Sequence, residues 1–121
     1  MDDLNLSLQI ASLLYQKKAQ DITVLEVRHL TVLCDKLIIA SGRTANQVSA
    51  LADSVDQLMA ESGCILRRSE GRQEGRWIVL DYGHIMIHLF RVEEREYYDL
   101  DRLWNDGSNR ISLPFEEAEG N

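Results

Sequence analysis

Positive charge is scarce in this chain. Thirteen Lys and Arg face twenty Asp and Glu, for a net charge of −7. A broad nucleic-acid footprint needs clustered Lys and Arg to displace counterions, so extensive contact with nucleic acid is not expected. If the protein has a macromolecular partner, the charge favours a basic one. Long apolar runs are missing too. None approaches the ~20 residues of a membrane span, so no membrane role is expected. The first residues, Met1-Asp2-Asp3-Leu4-Asn5, are acidic, whereas secretory and transit peptides begin with basic residues, which points to a cytoplasmic protein. There are only two cysteines, Cys34 and Cys64. They form no C-x-x-C pair, and each sits beside an expected strand, as buried thiols of a reducing compartment do. Their spacing leaves open whether they meet in space. Repeats and low-complexity tracts are also absent, as are the phosphate-binding patterns G-x-x-x-x-G-K-[ST] and G-x-G-x-x-G and the nucleophile elbow G-x-S-x-G.

What remains is a chain of 121 residues, 45% of them hydrophobic, long enough for one domain with one real core. Leu6, Ile10, Leu13 and Leu14 mark a helix over 5–18, with Asn5 or Ser7 as its cap and Lys17 and Lys18 in its last turn. β-Branched residues make 22–27 a strand. The continuous apolar run from Leu37 to Ala40 reads as a strand covered on both faces. Thr44 and Gln47 have the spacing of a capping box. They open a helix carrying Val48, Leu51, Val55, Leu58 and Met59, and Gly63 stops it. Cys64–Arg68 reads as a short strand and 69–76 as a polar loop. The passage from Leu37 to Arg68 is a candidate parallel crossover.

The most informative stretch is 77–104. Two β-rich runs flank Asp81-Tyr82-Gly83 and form a hairpin whose tight turn needs the positive φ of Gly83. Alternation puts Ile78, Leu80, Ile85, Ile87 and Leu89 on one face, fit for a dry core. Trp77, Val79, Asp81, His84, Met86, His88 and Phe90 make a mixed face. Such a face is either a docking surface, since interface centres favour aromatic residues and Met, or is covered by a helix. A helix follows, with Tyr97, Leu100 and Trp104 as its apolar stripe and Gly107 as its end. The acidic stretch 108–121 reads as a flexible tail outside a domain spanning 1–107. The order is thus α-β-β-α-β-β-β-α in a single α/β (α+β) domain, a mixed sheet with packed helices.

Catalytic chemistry finds little support. His84 and His88 would share a metal on a helix, but on a strand rising ~3.3 Å per residue they stand ~13 Å apart. No metal or cofactor is expected. Ser41, Gly42 and Thr44 form a strand-glycine-helix junction that could hold an anion. A Mg-dependent nucleotidyltransferase would also need paired carboxylates on neighbouring strands. Cys64–Arg68 has none, and Asp81 stands alone on its strand. A triad of Ser41, His88 and Asp81 has no motif behind it.

Taken together, Trp77-x-x-Leu80-Asp81-Tyr82-Gly83, His88, Phe90 and Arg95-x-Tyr97-Tyr98-x-Leu100-Asp101-x-Leu103-Trp104 resemble the signature of the ribosomal silencing factor, or Iojap-like, family. Lys17–Ile22, Asp35-x-x-Ile38-x-x-Ser41-Gly42, Asn46-Gln47-Val48-x-Ala50 and Glu70-Gly71 fit it as well, so the resemblance runs through 5–106. It implies a nucleotidyltransferase-like fold without catalysis. It also implies binding to the large ribosomal subunit through ribosomal protein L fourteen, with obstruction of small-subunit joining and repression of translation when nutrients are scarce. Organelle relatives imply an alternative role in large-subunit assembly. Carried over position by position, the contact candidates are Trp77, Asp81, Tyr82, His84, Met86, His88, Phe90, Tyr98 and Asp101. Tyr97, Leu100, Leu103 and Trp104 are assigned to the core. His84 departs from the family's usual Asp, and Asp101 from its usual Glu. A face of this kind could also self-associate into a homodimer when no partner is bound.

Overall fold

Leu6, Ile10 and Leu14 recur at helical spacing and bury one face of helix α1, Asp3–Gln16. The structure is a computed structural model and describes residues 3–119. Neither Asn5 nor Ser7 caps α1, because the helix already runs from Asp3 and Ser7 is buried within it. Lys17 and Lys18 fall in the turn after the helix. Strand β1, Gln20–Glu26, pairs antiparallel with β2, Lys36–Gly42. Every residue of β2 is buried, as its unbroken apolar run requires.

Helix α2, Ala45–Glu61, starts at Thr44, whose Oγ1 accepts from the Gln47 N–H at 3.1 Å. The reciprocal bond of the box is displaced by one residue, since Gln47 Oε1 accepts from the Arg43 N–H at 2.6 Å. At the other end Gly63 takes φ 77°, and the Cys64 N–H closes back on the Met59 carbonyl at 2.8 Å. Residues 64–67 then form no strand, although the Arg67 N–H already donates to the Asp81 carbonyl at 2.8 Å. The short strand expected at Cys64–Arg68 meets β3, Arg68–Glu70, only at Arg68, and Ser69 and Glu70 fall in what read as loop.

The hairpin forms as expected, from β4, Trp77–Asp81, and β5, Ile85–Arg91. Gly83 has φ 92°, and a Cβ there would meet the Arg67 guanidinium at 2.7 Å. The sheet order is β1-β2-β5-β4-β3, with β2 and β5 parallel and the other pairs antiparallel. The crossover after β2 therefore does not set β3 beside β2. Burying both faces of a strand demands a central place, and the apolar β5 takes it; the short, polar β3 goes to the edge.

The final helix breaks in two at Asp99, in the left-handed region at φ 49°: α3 is Val92–Tyr98 and α4 is Leu100–Trp104. The expected stripe is split with it. Tyr97 and Leu103, assigned to the core, are 82% and 72% exposed, while Leu100 and Trp104 pack inward. The helix ends at Trp104, not at Gly107.

The stretch that read as a flexible tail is folded onto the domain through residue 116. The Glu26 N–H donates to the Asn109 carbonyl at 2.9 Å, and the Ile111 N–H to the Val24 carbonyl at 2.8 Å, closing the outer edge of β1. Leu113 is buried, and Phe115, in helix α5 (Pro114–Glu119), stacks on Tyr15 with ring centroids 4.2 Å apart. Residues 120 and 121 of that expected tail lie outside the described residues.

Two apolar clusters result. The larger joins α1, α2 and the plain face of the hairpin, including Ile78, Leu80, Ile85, Ile87 and Leu89. The smaller lies on the opposite face and holds Leu25, Val27, Cys34, Leu37, Ile39 and Phe90. Cys64 packs against the larger cluster and Cys34 within the smaller, so the two free thiols face opposite sides of the sheet. Among the described residues no helix is long and apolar enough to cross a membrane.

Candidate functional site

The two faces of the sheet are covered unequally. Helices α1 and α2 close one. Among the described residues the other carries only the short α3 and α4, with Leu100 and Trp104 reaching the smaller cluster. The mixed face is therefore covered in one part and open in the other. Its inner part is covered: Phe90 has no accessible surface and His88 retains 8%. Its outer part is open: Trp77, Val79, Asp81 and Met86 are half-buried and His84 is exposed.

Trp77 is the hinge between the two parts. It stacks on Phe90 at 4.9 Å between centroids and meets Tyr98 at 4.7 Å. Its indole N–H donates to His88 Nδ1 at 2.9 Å. An indole can only donate, so the neutral imidazole carries its proton on Nε2. Burial pushes the His88 pKa down to about 4. Tyr98, at the end of α3, is 49% exposed over this cluster.

The remaining contact candidates divide. Asp81 closes the turn, its Oδ1 accepting from the Gly83 N–H at 2.8 Å. Tyr82 turns to the opposite face, packs against the larger cluster and donates to Asp56 on α2, which also pairs with Arg72. Burial first, then that bond, raises the Tyr82 pKa. Asp101 is engaged by Arg95 at 2.8 Å. Phe90, His88, Tyr82 and Asp101 thus serve as supports in this geometry, while Trp77, Met86, His84 and Tyr98 present surface.

Arg95 fixes the helix break to the sheet. Besides Asp101 it donates to Ser41 Oγ at 3.1 Å, to Thr23 Oγ1 at 3.2 Å and to the Asp21 carbonyl. Its side chain is 11% exposed. Arg95→Met should cost about 2–3 kcal/mol in urea unfolding, below the value for a fully buried pair because Asp101 retains some solvent. Asp101→Asn should cost less, since Arg95 keeps its other acceptors.

Beside Trp77 lies an apolar groove of about 230 Å³. Val27, Thr31, Leu33 and Cys34 of the β1–β2 connection and Leu37 of β2 form one side. Met86 and His88 come from β5, and Leu100 and Trp104 from α4. Burial raises the Cys34 thiol to about 11, so it is an inert wall group. The connection also exposes Leu30, Val32 and Leu33. Sequence reasoning missed these residues because nothing local distinguishes Val32 and Leu33 from the apolar residues of the strand that follows them.

Other chemistry is limited. His84 Nδ1 lies 3.2 Å from Asp35 Oδ2. Asp3, Asp35 and His84 place ligand atoms within 4.8 Å of one another, the one such group among the described residues. Asp35 is also held by Arg28, whose hydrogen bond is the main cause of its lowered pKa. Ser41, His88 and Asp81 do not form a relay, because Arg95, Trp77 and Gly83 engage them separately. The N-terminus of α2 is occupied by Thr44 and by Gln47, whose Nε2 donates to the Lys18 carbonyl at 3.3 Å.

Comparison with known proteins places this architecture. The family described as "Ribosomal silencing factor during starvation" matches residues 2–121. A ribosomal silencing factor from Halalkalibacterium halodurans is 33% identical over 104 residues, 86% of this chain and 84% of that protein. A crystal structure of a Chromobacterium violaceum protein superimposes with a TM-score of 0.83 at 33% identity, covering 94% of this chain and 93% of that one. A mouse protein named "Mitochondrial assembly of ribosomal large subunit protein 1" is 31% identical over 98 residues, 78% of this chain and 43% of its own. By its sequence along nearly the whole chain and by its fold, this protein belongs to the ribosomal silencing factor family.

Proposed function

We propose that this protein binds the large ribosomal subunit through ribosomal protein L fourteen and prevents the small subunit from joining, lowering translation when nutrients are scarce. The observation that carries the reading is the open outer part of the mixed face in a member of this family, centred on Trp77 and bordered by charged residues such as Arg68, Glu70 and Asp81. The action is steric and non-enzymatic, and it takes place in the cytoplasm. Apolar burial supplies affinity, and the charge of −7 steers the protein onto a basic surface. The association rate should therefore fall as ionic strength rises.

Sedimentation with purified large and small subunits, tested separately, checks this reading. Co-migration with the large subunit alone is expected, together with reduced joining when the small subunit is added. Binding to neither subunit would overturn it. Trp77→Ala should weaken binding by about 2 kcal/mol, the loss of one interface anchor. Unchanged affinity in the folded variant would remove Trp77 from the contact surface.

The name of the mouse relative supports a second reading, an adaptor in large-subunit assembly that uses the same face. Timing separates the two: an adaptor is found on precursor particles, a silencing factor on mature subunits. Without a partner, two copies can associate through the open face, and dilution in an analytical ultracentrifuge would detect it.

A further inference from the structure

We infer that the groove between the β1–β2 connection and α4 is a subsite for a single aliphatic or aromatic side chain projecting from a basic protein surface, with Val32 and Leu33 as its lip. The inference rests on the docking role proposed above and adds a second contact region to the hairpin. Its volume of about 230 Å³ lies below the roughly 300–1,000 Å³ of small-molecule sites, which suits an inserted side chain better than a cofactor.

The lip is unusual in being both apolar and held. Val32 is 102% exposed and Leu33 67%. A loose loop could bury such residues by collapsing, but this one is tied down. The Leu30 and Thr31 N–H groups donate to the Val27 carbonyl at 2.9 and 3.0 Å, and the Leu33 N–H donates to Thr31 Oγ1 at 3.1 Å. The Val27 N–H donates to the Asp35 carbonyl at 2.9 Å, and the Asp35 N–H to the His84 carbonyl at 2.8 Å. His29 Nε2 meets Asp106 at 2.6 Å. Preorganised apolar side chains lose little entropy when a partner covers them.

Charge selects the occupant. Asp35 and Asp106 flank the connection, Asp35 paired with Arg28 and Asp106 with His29, and Asp99 precedes Leu100 of the facing wall. An inserted nucleobase would bring its phosphate toward these carboxylates, on a chain already at −7. A Leu, Met or Phe surrounded by Lys and Arg meets the same border favourably. His88, which also lines the groove, keeps an Nε2 proton with no acceptor among the described residues, a donor for the occupant's main chain.

The test measures the affinity of purified large subunits for the full-length protein and for Val32→Ser, Leu33→Ser and Thr31→Trp. The two serine variants alter exposed positions and should melt like the parent. Leu33→Ser should bind about tenfold more weakly, and Thr31→Trp, which fills the groove, at least as weakly. A benzophenone side chain placed at Val32 should cross-link to a protein of the subunit. If the parent binds and the Leu33 and Thr31 variants bind equally well, the subsite is wrong while the docking role stands. If the parent itself does not bind, the docking role fails and the subsite with it. A cross-link to ribosomal RNA, or variants that lose only self-association, would overturn the proposed occupant in favour of RNA or of a second copy.

Discussion

As pH falls from 6.5 to about 4, this protein should lose about 3 kcal/mol of folding stability through His88 alone. The imidazole lies on the covered part of the mixed face, and its Nδ1 already accepts the Trp77 N–H. Burial penalises the charged ring, so the folded pKa lies below the ordinary value of 6.5. Between the two pKa values the unfolded chain binds the extra proton and the folded chain does not. Stability is therefore complete above pH 6.5 and declines as pH drops, and the contribution of His88 levels off below about 4. Asp35 and Asp106, whose pKa values are held below the ordinary carboxylate value of 3.8, lose their stabilising effect only at still lower pH. Urea unfolding across this range checks the prediction. In His88→Asn, which keeps an acceptor near the Nδ1 position but cannot titrate, the slope between pH 6.5 and 4 should largely disappear. An unchanged slope would mean that other groups carry the acid sensitivity.

Phe90→Ala should destabilise the fold by about 3–5 kcal/mol, the usual cost of emptying a fully buried aromatic site. Phe90 stacks on Trp77 and shares its cluster with Leu25, Val27, Cys34, Leu37 and Ile39. Those neighbours are anchored in the sheet or in the hydrogen-bonded connection, so the cavity cannot collapse freely. The contrast with Trp77→Ala is the useful part. If Phe90 is a support, its loss appears chiefly in the denaturation midpoint, and protein that remains folded keeps most of its affinity for the large subunit. If Phe90 is a contact, affinity falls as far as it does for Trp77→Ala. The two variants measured side by side separate holding the face in place from touching the partner.

Several features were determined locally and could be read from the sequence. The alternation through Trp77–Asp81 and Ile85–Arg91, with Gly83 between them, dictates a hairpin with one aliphatic face, and that face is buried. Thr44 and Gly63 delimit α2 because capping depends on backbone groups within a few residues. The unbroken apolar run in β2 required cover on both faces and received it. The order of motifs was enough to point to the family.

Other features were decided only by the tertiary structure, because they depend on partners distant in sequence. Strand order is one: β5 outcompetes β3 for the place beside β2 through apolar area, which no local pattern compares. Arg95 is another. It reaches Asp21, Thr23 and Ser41 from more than fifty positions away and meets Asp101 beyond the break at Asp99, which turns an expected single helix into two. That break exposes Tyr97 and Leu103 and leaves the mixed face half covered. The C-terminal stretch looked like a tail because its own composition cannot sustain structure. It is ordered by an edge of β1 that is far away in sequence and needs backbone partners. The residue types of the candidate site were therefore legible in the chain. Which of them support the surface and which present it followed from contacts made across the sheet.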